Sequence, residues 1–389
     1  MDSTDSGFST LSNHADRPLN ASNSVAPPIY QTANFAAASA EEFLAAATEP
    51  RHSCFYTRYA NPTHAQAEAV IAALEETESS LLLGSGMAAI STTILSFVSR
   101  GEHVVAQKNH YAGSLSFLRD FAPRFGIETT FVDPTRFEEF ERALRPETRL
   151  ILLETPSNPT AQVTDLAAVA RLARARGIVT AVDNTFATPI NQRPIGLGCD
   201  LCLHSATKYL GGHSDLVMGA VAGSRALVEK VWKNSILLGA SVNALDSWLL
   251  LRGLRTLPLR VKAHNANALA VAKFLSVHPK IERVHYAGLE SHPQHALARA
   301  QMSGFGGTLS FELKAGYDGA EKLISKLRLA RRAASLGGVE SLVSHIPAMW
   351  AKSATAEQLR EMGIAPGLVR LSTGIEDEQD LLKDLDQAL

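Results

Sequence analysis

Between residues 61 and 204, short apolar runs alternate with stretches of helical periodicity. This alternation constrains the fold more than any other feature of the chain. The runs at 80–83, 103–107, 128–132, 149–154, 178–183 and 200–204 read as strands. Segments 62–76, 87–99, 113–124, 136–144 and 166–176 read as helices between them. A strand followed by a helix, repeated this often, requires crossover connections and hence a mainly parallel sheet with helices on both faces. The LILL run at 150–153 has no polar alternation, as a strand buried on both faces demands. The predicted class is α/β.

The flanks differ. Residues 1–60 are rich in Ser, Asn, Ala and Pro, and read as an extended arm with one short helix at 40–47. After Val242 a long helical region, 244–277, carries Gly253 and Pro258, which predict a kink or a split. A strand at 308–313, a helix at 319–327, a strand at 367–372 and a helix at 377–387 follow. Strands so widely spaced predict a smaller α+β unit. The expected organisation is an arm, 1–60, a large domain, 61–243, and a small domain, 244–389.

Charge excludes some classes of partner. The 389 residues carry a formal net charge of −2 and no long basic block, so nothing favours nucleic acid or an anionic membrane. The first twenty residues lack the apolar run of a secretion signal, and no stretch of about 18 apolar residues predicts a membrane span. Three cysteines, Cys54, Cys199 and Cys202, are too few for a disulfide framework and fit a reducing, cytoplasmic setting. Cys199 and Cys202 form a lone C-x-x-C with no second pair to complete a tetrahedral site. They read as small core residues, and no metal is expected.

In a parallel sheet, ligands bind beyond the carboxyl ends of the strands. Those ends carry Gly84-Ser85-Gly86-Met87, Tyr111 after a short loop, Glu154 followed by Pro156-Ser157-Asn158-Pro159, Asp183-Asn184, and Ser205-Ala206-Thr207-Lys208. A glycine turn entering a helix offers unpaired N–H groups to a phosphate, though neither the Walker pattern nor G-x-G-x-x-G is present. Ser205 and Thr207 add hydroxyl donors. Asp183 reads either as a local cap within DNT or as a carboxylate that keeps a ring nitrogen protonated. Lys208, set among apolar strands, reads as an amine of lowered pKa. A phosphate cradle, a ring-nitrogen carboxylate, an aromatic and a reactive lysine together describe a pyridoxal phosphate site; an unspecified α/β enzyme is the alternative.

The segments PPIYQTANF, YTRYANPT, GSGMAAI, YAGS, ETPSNPT, AVDNTFATP, SATKYLGGHSD, SLGGVESL and LVRLSTGIED follow one another in an order and spacing that resemble the Cys/Met-metabolism family of pyridoxal-phosphate enzymes. That trans-sulfuration group includes cystathionine γ-synthase, cystathionine γ-lyase, methionine γ-lyase and O-acylhomoserine sulfhydrylase. The resemblance implies the fold-type I transferase architecture. It makes Lys208 the lysine that carries the cofactor's aldehyde and Asp183 the partner of its ring nitrogen. Asn158 then stands near the ring hydroxyl, Tyr111 stacks on the ring, and Gly86, Met87, Ser205 and Thr207 bind the phosphate. Tyr56 and Arg58 reach the phosphate of a neighbouring subunit, so active dimers build a homotetramer. Ser335 and Arg370 take the carboxylate of a small amino-acid substrate.

The expected reaction is γ-elimination or γ-replacement on a sulfur amino acid or an O-acylhomoserine, with Lys208 moving protons and Tyr111 serving the leaving group. β-Elimination, an aminotransferase-like activity, or a non-catalytic binding protein of the same fold are the alternatives. The chain departs from family patterns at Ala334, where cystathionine-handling members carry Glu, at Ser116, at Gly113, where methionine γ-lyases carry Cys, and at Trp350, where a small hydroxyl residue is usual. These departures predict altered substrate recognition and a more apolar pocket. His213 is given a local structural role.

Overall fold

A computed structural model describes residues 6–351 and 355–389. The first residues of the expected arm, 1–5, lie outside the described residues. Seven strands form one sheet: β1 (Ser79–Leu83), β2 (His103–Gln107), β3 (Glu128–Val132), β4 (Thr148–Glu154), β5 (Val179–Asp183), β6 (Leu201–Ser205) and β7 (Gly219–Gly223). Their order is β1-β7-β6-β5-β4-β2-β3. The pairs from β6 through β3 are parallel, whereas β7 pairs antiparallel with both β6 and β1. The strand β7 and the helix after it, Arg225–Leu238, have no counterpart among the strands and helices predicted from the sequence.

Both faces of this sheet are covered. Ile90 and Ile94 of the helix Gly86–Phe97 pack on Val104, Leu152 and Leu203. On the opposite face Val70 and Leu74 of the helix Pro62–Glu75 pack with Leu250 and Leu254 of the helix Ala244–Arg255. Asn61 caps the first of these helices by accepting from the Thr63 N–H at 2.9 Å, and Pro62 takes the first helical position, where its missing N–H costs nothing.

The expected helix at 113–124 is not continuous. It is a short helix, Ala112–Ser116, followed by a π turn and a 3-10 turn, Ala122–Phe125, that holds Pro123. The long region after Val242 does split: one helix ends at Arg255 and the next, Leu257–Ser276, begins with Pro258 in its first turn. In the N-terminal segment the short helix Ala40–Thr48 is present. A second helix, Phe8–His14, precedes it and buries Leu11 against the large core, so this part of the arm is neither extended nor detached.

A second sheet contains β8 (Ile281–His285), β9 (Thr308–Leu313), β10 (Arg331–Arg332), β11 (Leu342–His345) and β12 (Leu368–Ser372), in the order β10-β11-β12-β9-β8. Leu309, Phe311 and Val369 from this sheet bury against Val271 and Leu275 and against Leu381 and Leu385 of the helix Glu378–Ala388. The strand β12 carries Arg370 toward the carboxyl edge of the first sheet, where it meets the loop after β4.

Candidate active site

Four of the predicted residues meet through hydrogen bonds. Lys208 Nζ donates to Ser335 Oγ at 2.7 Å. Arg370 donates to the Ser335 carbonyl at 3.0 Å and to Asn158 Oδ1 at 3.1 Å. Ser335 makes both contacts from a left-handed backbone, φ +85°, a strained state for a residue with a side chain. Burial pulls the Lys208 ammonium down to about 8, with the Arg370 charge adding to it. Burial also pulls the Arg370 guanidinium down to about 10. A lysine so placed holds a neutral, nucleophilic fraction at ordinary pH.

A second group stands at the end of β5. Asp183 is 8% exposed. Its Oδ1 accepts from the Thr185 N–H at 3.1 Å and the Thr185 hydroxyl at 2.5 Å, so the local DNT turn is present. Thr185 Oγ1 in turn accepts the Ser205 N–H at 2.8 Å, tying β5 to the segment that carries Lys208. Among the described residues no donor reaches Asp183 Oδ2. Burial, then the negative charge of Glu154, raises the carboxyl to about 6. The acid is therefore poised to gain from a cationic partner.

The third group is the start of the helix Gly86–Phe97. Ser85 Oγ accepts the Ala88 N–H at 3.0 Å, which leaves the Gly86 and Met87 amides without a partner among the described residues. A Cβ at Gly86 would stand 2.7 Å from Ser205 Cβ and 2.8 Å from its Oγ, so only glycine lets the two segments approach. Met87 Sδ and the Tyr111 ring both flank Gly113, where a Cβ would meet them at 2.9 and 2.6 Å. Thr207 differs from expectation in one respect. Its hydroxyl is already engaged, donating to the Met218 carbonyl at 3.2 Å and accepting the Met218 N–H at 3.0 Å.

Tyr56 and Arg58 do not join this cluster. The Arg58 guanidinium lies 5.5 Å from the Tyr56 ring centre and 5.4 Å from that of Tyr59, and the pair lines a separate cavity of about 310 Å³ with Gln31 and Asn243. Trp350 is buried in an apolar cluster with Ile346, Leu359 and Leu368, against which Ala112 packs beside Tyr111. Ala334 is exposed. His213 bonds the Gly211 carbonyl through Nδ1 at 2.8 Å, a local contact. A cavity of about 590 Å³ opens between β8 and the 289–294 loop, but none of the Lys208 group lines it; chemistry, not volume, locates the site. Two residues that sequence reasoning gave no role, Glu154 and Thr185, turn out to be connectors. The signal for Glu154 was an acid ending an otherwise apolar strand. Cys202, His204 and Glu75 bring ligand atoms within 4.8 Å of one another; His204 Nε2 lies 2.6 Å from Glu75 Oε1, while Glu75 Oε2 has no partner among the described residues.

The comparisons agree with the geometry. The family model described as Cys/Met metabolism PLP-dependent enzyme matches residues 9–389. An L-methionine gamma-lyase of Pseudomonas putida is 42% identical, the match covering 98% of this chain and 97% of that protein. A cystathionine gamma-lyase of Bacillus subtilis is 42% identical over 94% of each. The crystal structure of metB from Corynebacterium glutamicum superposes with a TM-score of 0.94 at 38% identity, covering 100% of this chain and 99% of that one. The fold is fold-type I, and the residues present fit pyridoxal phosphate: a one-sided carboxylate for the ring nitrogen, unpaired helix N–H groups and a glycine approach for the phosphate, and a buried amine for the aldehyde. The chain belongs to the Cys/Met metabolism family of pyridoxal-phosphate-dependent enzymes.

Proposed function

We propose that this enzyme cleaves the Cγ–S bond of a sulfur amino acid by γ-elimination, with methionine and cystathionine as the substrate class. Substrate and water then yield a thiol, ammonia and 2-oxobutanoate. The observation that carries the reading is the Lys208 amine, lowered to about 8 and held 2.7 Å from Ser335 Oγ beside Arg370. The full-length similarity to proteins named as γ-lyases supports it.

Pyridoxal phosphate, when bound, supplies the electron sink for charge developing at Cα. Lys208, Asp183, Asn158, Ser205 and the Gly86–Met87 amides are the residues that would hold it, with Thr207 bracing its segment. Arg370 has five N–H donors and spends two on Asn158 and Ser335, so others remain for the substrate carboxylate. Lys208 takes the Cα proton at Nζ and returns it further along the chain, with Ser335 Oγ holding the amine in reach. The Tyr111 hydroxyl delivers a proton to the departing sulfur.

Tyr56 and Arg58 are assigned to the neighbouring subunit's phosphate on the family resemblance, which is supported by their lining a cavity that includes none of the Lys208 group. Exposed Phe43, Leu44, Leu237 and Leu238 give such a subunit apolar surface to cover, in dimers that pair into tetramers. The proposed division remains an arm, 1–60, a large domain, 61–243, and a small domain, 244–389, although the helix Ala244–Arg255 packs with the large-sheet core. Three free cysteines suit a reducing compartment such as the cytoplasm.

The test is to incubate the cofactor-loaded protein with methionine, homocysteine, cystathionine and O-acylhomoserines, with and without cysteine, and to identify keto acid and thioether products. Keto acid from methionine or cystathionine is the expected result, and Lys208→Ala should abolish both turnover and the visible absorbance of the bound cofactor. Thioether without keto acid would replace the reading with γ-replacement. A protein that never takes up cofactor would end it.

A further inference from the structure

Glu154 closes β4, whose residues read TRLILLE, and it is 3% exposed. In register it stands beside Asp183 of β5. A carboxylate buried this deeply is costly unless donors surround it. Among the described residues no lysine or arginine pairs with it. Its donors are main-chain groups: the Tyr111 N–H reaches Oε2 at 2.6 Å and the Asn158 N–H reaches Oε1 at 3.0 Å. His110 stands by, with Nδ1 3.4 Å from Oε2, while its Nε2 donates to the Leu152 carbonyl at 3.0 Å. The stem is fixed as well, since the Glu154 N–H donates to Gln107 Oε1 at 2.6 Å.

Each oxygen therefore holds one loop. The loop after β2 carries the aromatic, and the loop after β4 carries the carboxamide. We propose that Glu154 is a positioning residue that sets, through these two backbone amides, where the Tyr111 ring and the Asn158 carboxamide stand around the cofactor. The inference rests on the roles given above to Tyr111, Asn158 and Arg370. Tyr111 needs such an anchor. Tyr111 is 48% exposed, and no hydrogen bond of its hydroxyl is present among the described residues. Asn158 passes the restraint on, because its Oδ1 accepts from Arg370. One carboxylate thus aligns the group that faces the ring and the group that takes the substrate carboxylate.

Only glutamate meets the requirement. Two N–H donors need two acceptors. Glutamine keeps one acceptor and turns its own NH₂ toward the other donor. Aspartate keeps both acceptors but is one methylene shorter, so it cannot reach both loops from the end of β4.

The experiment compares Glu154→Gln and Glu154→Asp with wild type. Cofactor is titrated into the apoprotein to obtain a dissociation constant, the visible circular dichroism of the bound cofactor is recorded, and KM and kcat are measured separately. Losing one charge-assisted bond and setting an NH₂ against the remaining N–H donor should weaken cofactor binding roughly 10- to 100-fold in Glu154→Gln. The dichroism should change, because the ring's neighbour has moved, and KM should rise more than kcat falls. Glu154→Asp should lie between. A folded Glu154→Gln with wild-type dissociation constant, dichroism and KM overturns the inference. Loss of the folded state in both variants, read by far-ultraviolet circular dichroism, overturns it too, since Glu154 would then determine the fold and not the site. Failure of the proposed function is read separately, as wild-type protein that makes no keto acid; the dissociation constant and the dichroism do not depend on turnover.

Discussion

Asp183→Asn should stabilise the cofactor-free protein at neutral pH while spoiling it as an enzyme. The carboxyl moves from 3.8 to about 6 on folding, because it is buried and faces Glu154. Between those two values the folded protein holds a proton that the unfolded chain has released. Stability therefore falls as pH rises through this window, and the cost is complete above it. At about 1.4 kcal/mol per pH unit, the ionised Asp183 costs the cofactor-free fold about 3 kcal/mol. Asparagine is neutral throughout, and its Oδ1 still accepts both bonds from Thr185. With an unfolding entropy of about 2.1 cal/mol/K per residue, a chain of this length gains roughly 3–4 °C in Tm. Differential scanning calorimetry of the apoprotein at pH 4 and pH 8 reads the effect. The gain should be present at pH 8 and absent at pH 4. An equal gain at both, or a loss at pH 8, would refute the reasoning. The same variant should bind cofactor more weakly, because an amide cannot hold a ring nitrogen protonated.

Two glycines offer further checks. Gly86→Ala places a methyl 2.7 Å from Ser205 Cβ and 3.0 Å from its Cα, so the helix start must retreat; cofactor affinity, measured by titrating the apoprotein, should fall tenfold or more. Gly113→Cys drives a side chain against the Tyr111 ring at 2.6 Å and Met87 Sδ at 2.9 Å. The exposed ring is what yields, so the ratio of kcat/KM for methionine to that for cystathionine should change several-fold, and because the displaced ring is the one placed against the cofactor, the cofactor dissociation constant should rise as well.

Much of the large sheet was legible because its strands are apolar runs of β-branched and aliphatic residues with helices of ordinary length between them. The strand β7 was not, and the reason is steric. Its sequence is GAVAG, and glycine is required at both ends: a Cβ at Gly219 would lie 2.1 Å from the Ser85 carbonyl oxygen, and one at Gly223 would lie 2.7 Å from that of Asp200. Close backbone approach selected residues that carry no strand signal. The second sheet was read only in part, since β8 (IERVH) is an edge strand with exposed polar residues and β10 is two arginines long. In the site, side chains at strand ends could be named in advance. The connections that use main-chain donors, Glu154 to Tyr111 and Asn158, could not, because a backbone N–H leaves no mark in a sequence.

The charges of the site are arranged by sign, and this separates cofactor chemistry from substrate choice. Lys208 and Arg370 lie together, and each is held below its ordinary range by burial, with Arg370 also depressing Lys208. Asp183 and Glu154 lie together on adjoining strands, and Glu154 raises Asp183. Such segregation is unfavourable in an empty site. On the proposed roles it becomes favourable, when one ligand brings a cationic ring nitrogen to Asp183 and another brings a carboxylate to Arg370. The four positions that depart from family patterns stand outside this frame. Ala334 is exposed, Gly113 and Ser116 flank the Tyr111 ring or follow it on the same short helix, and Trp350 fills an apolar cluster behind Ala112. None carries a charge. Substitutions at these positions should therefore change specificity more than they change the charges that hold the ligands, and a variant at any of them that alters cofactor affinity and leaves the substrate ratio unchanged would refute that separation.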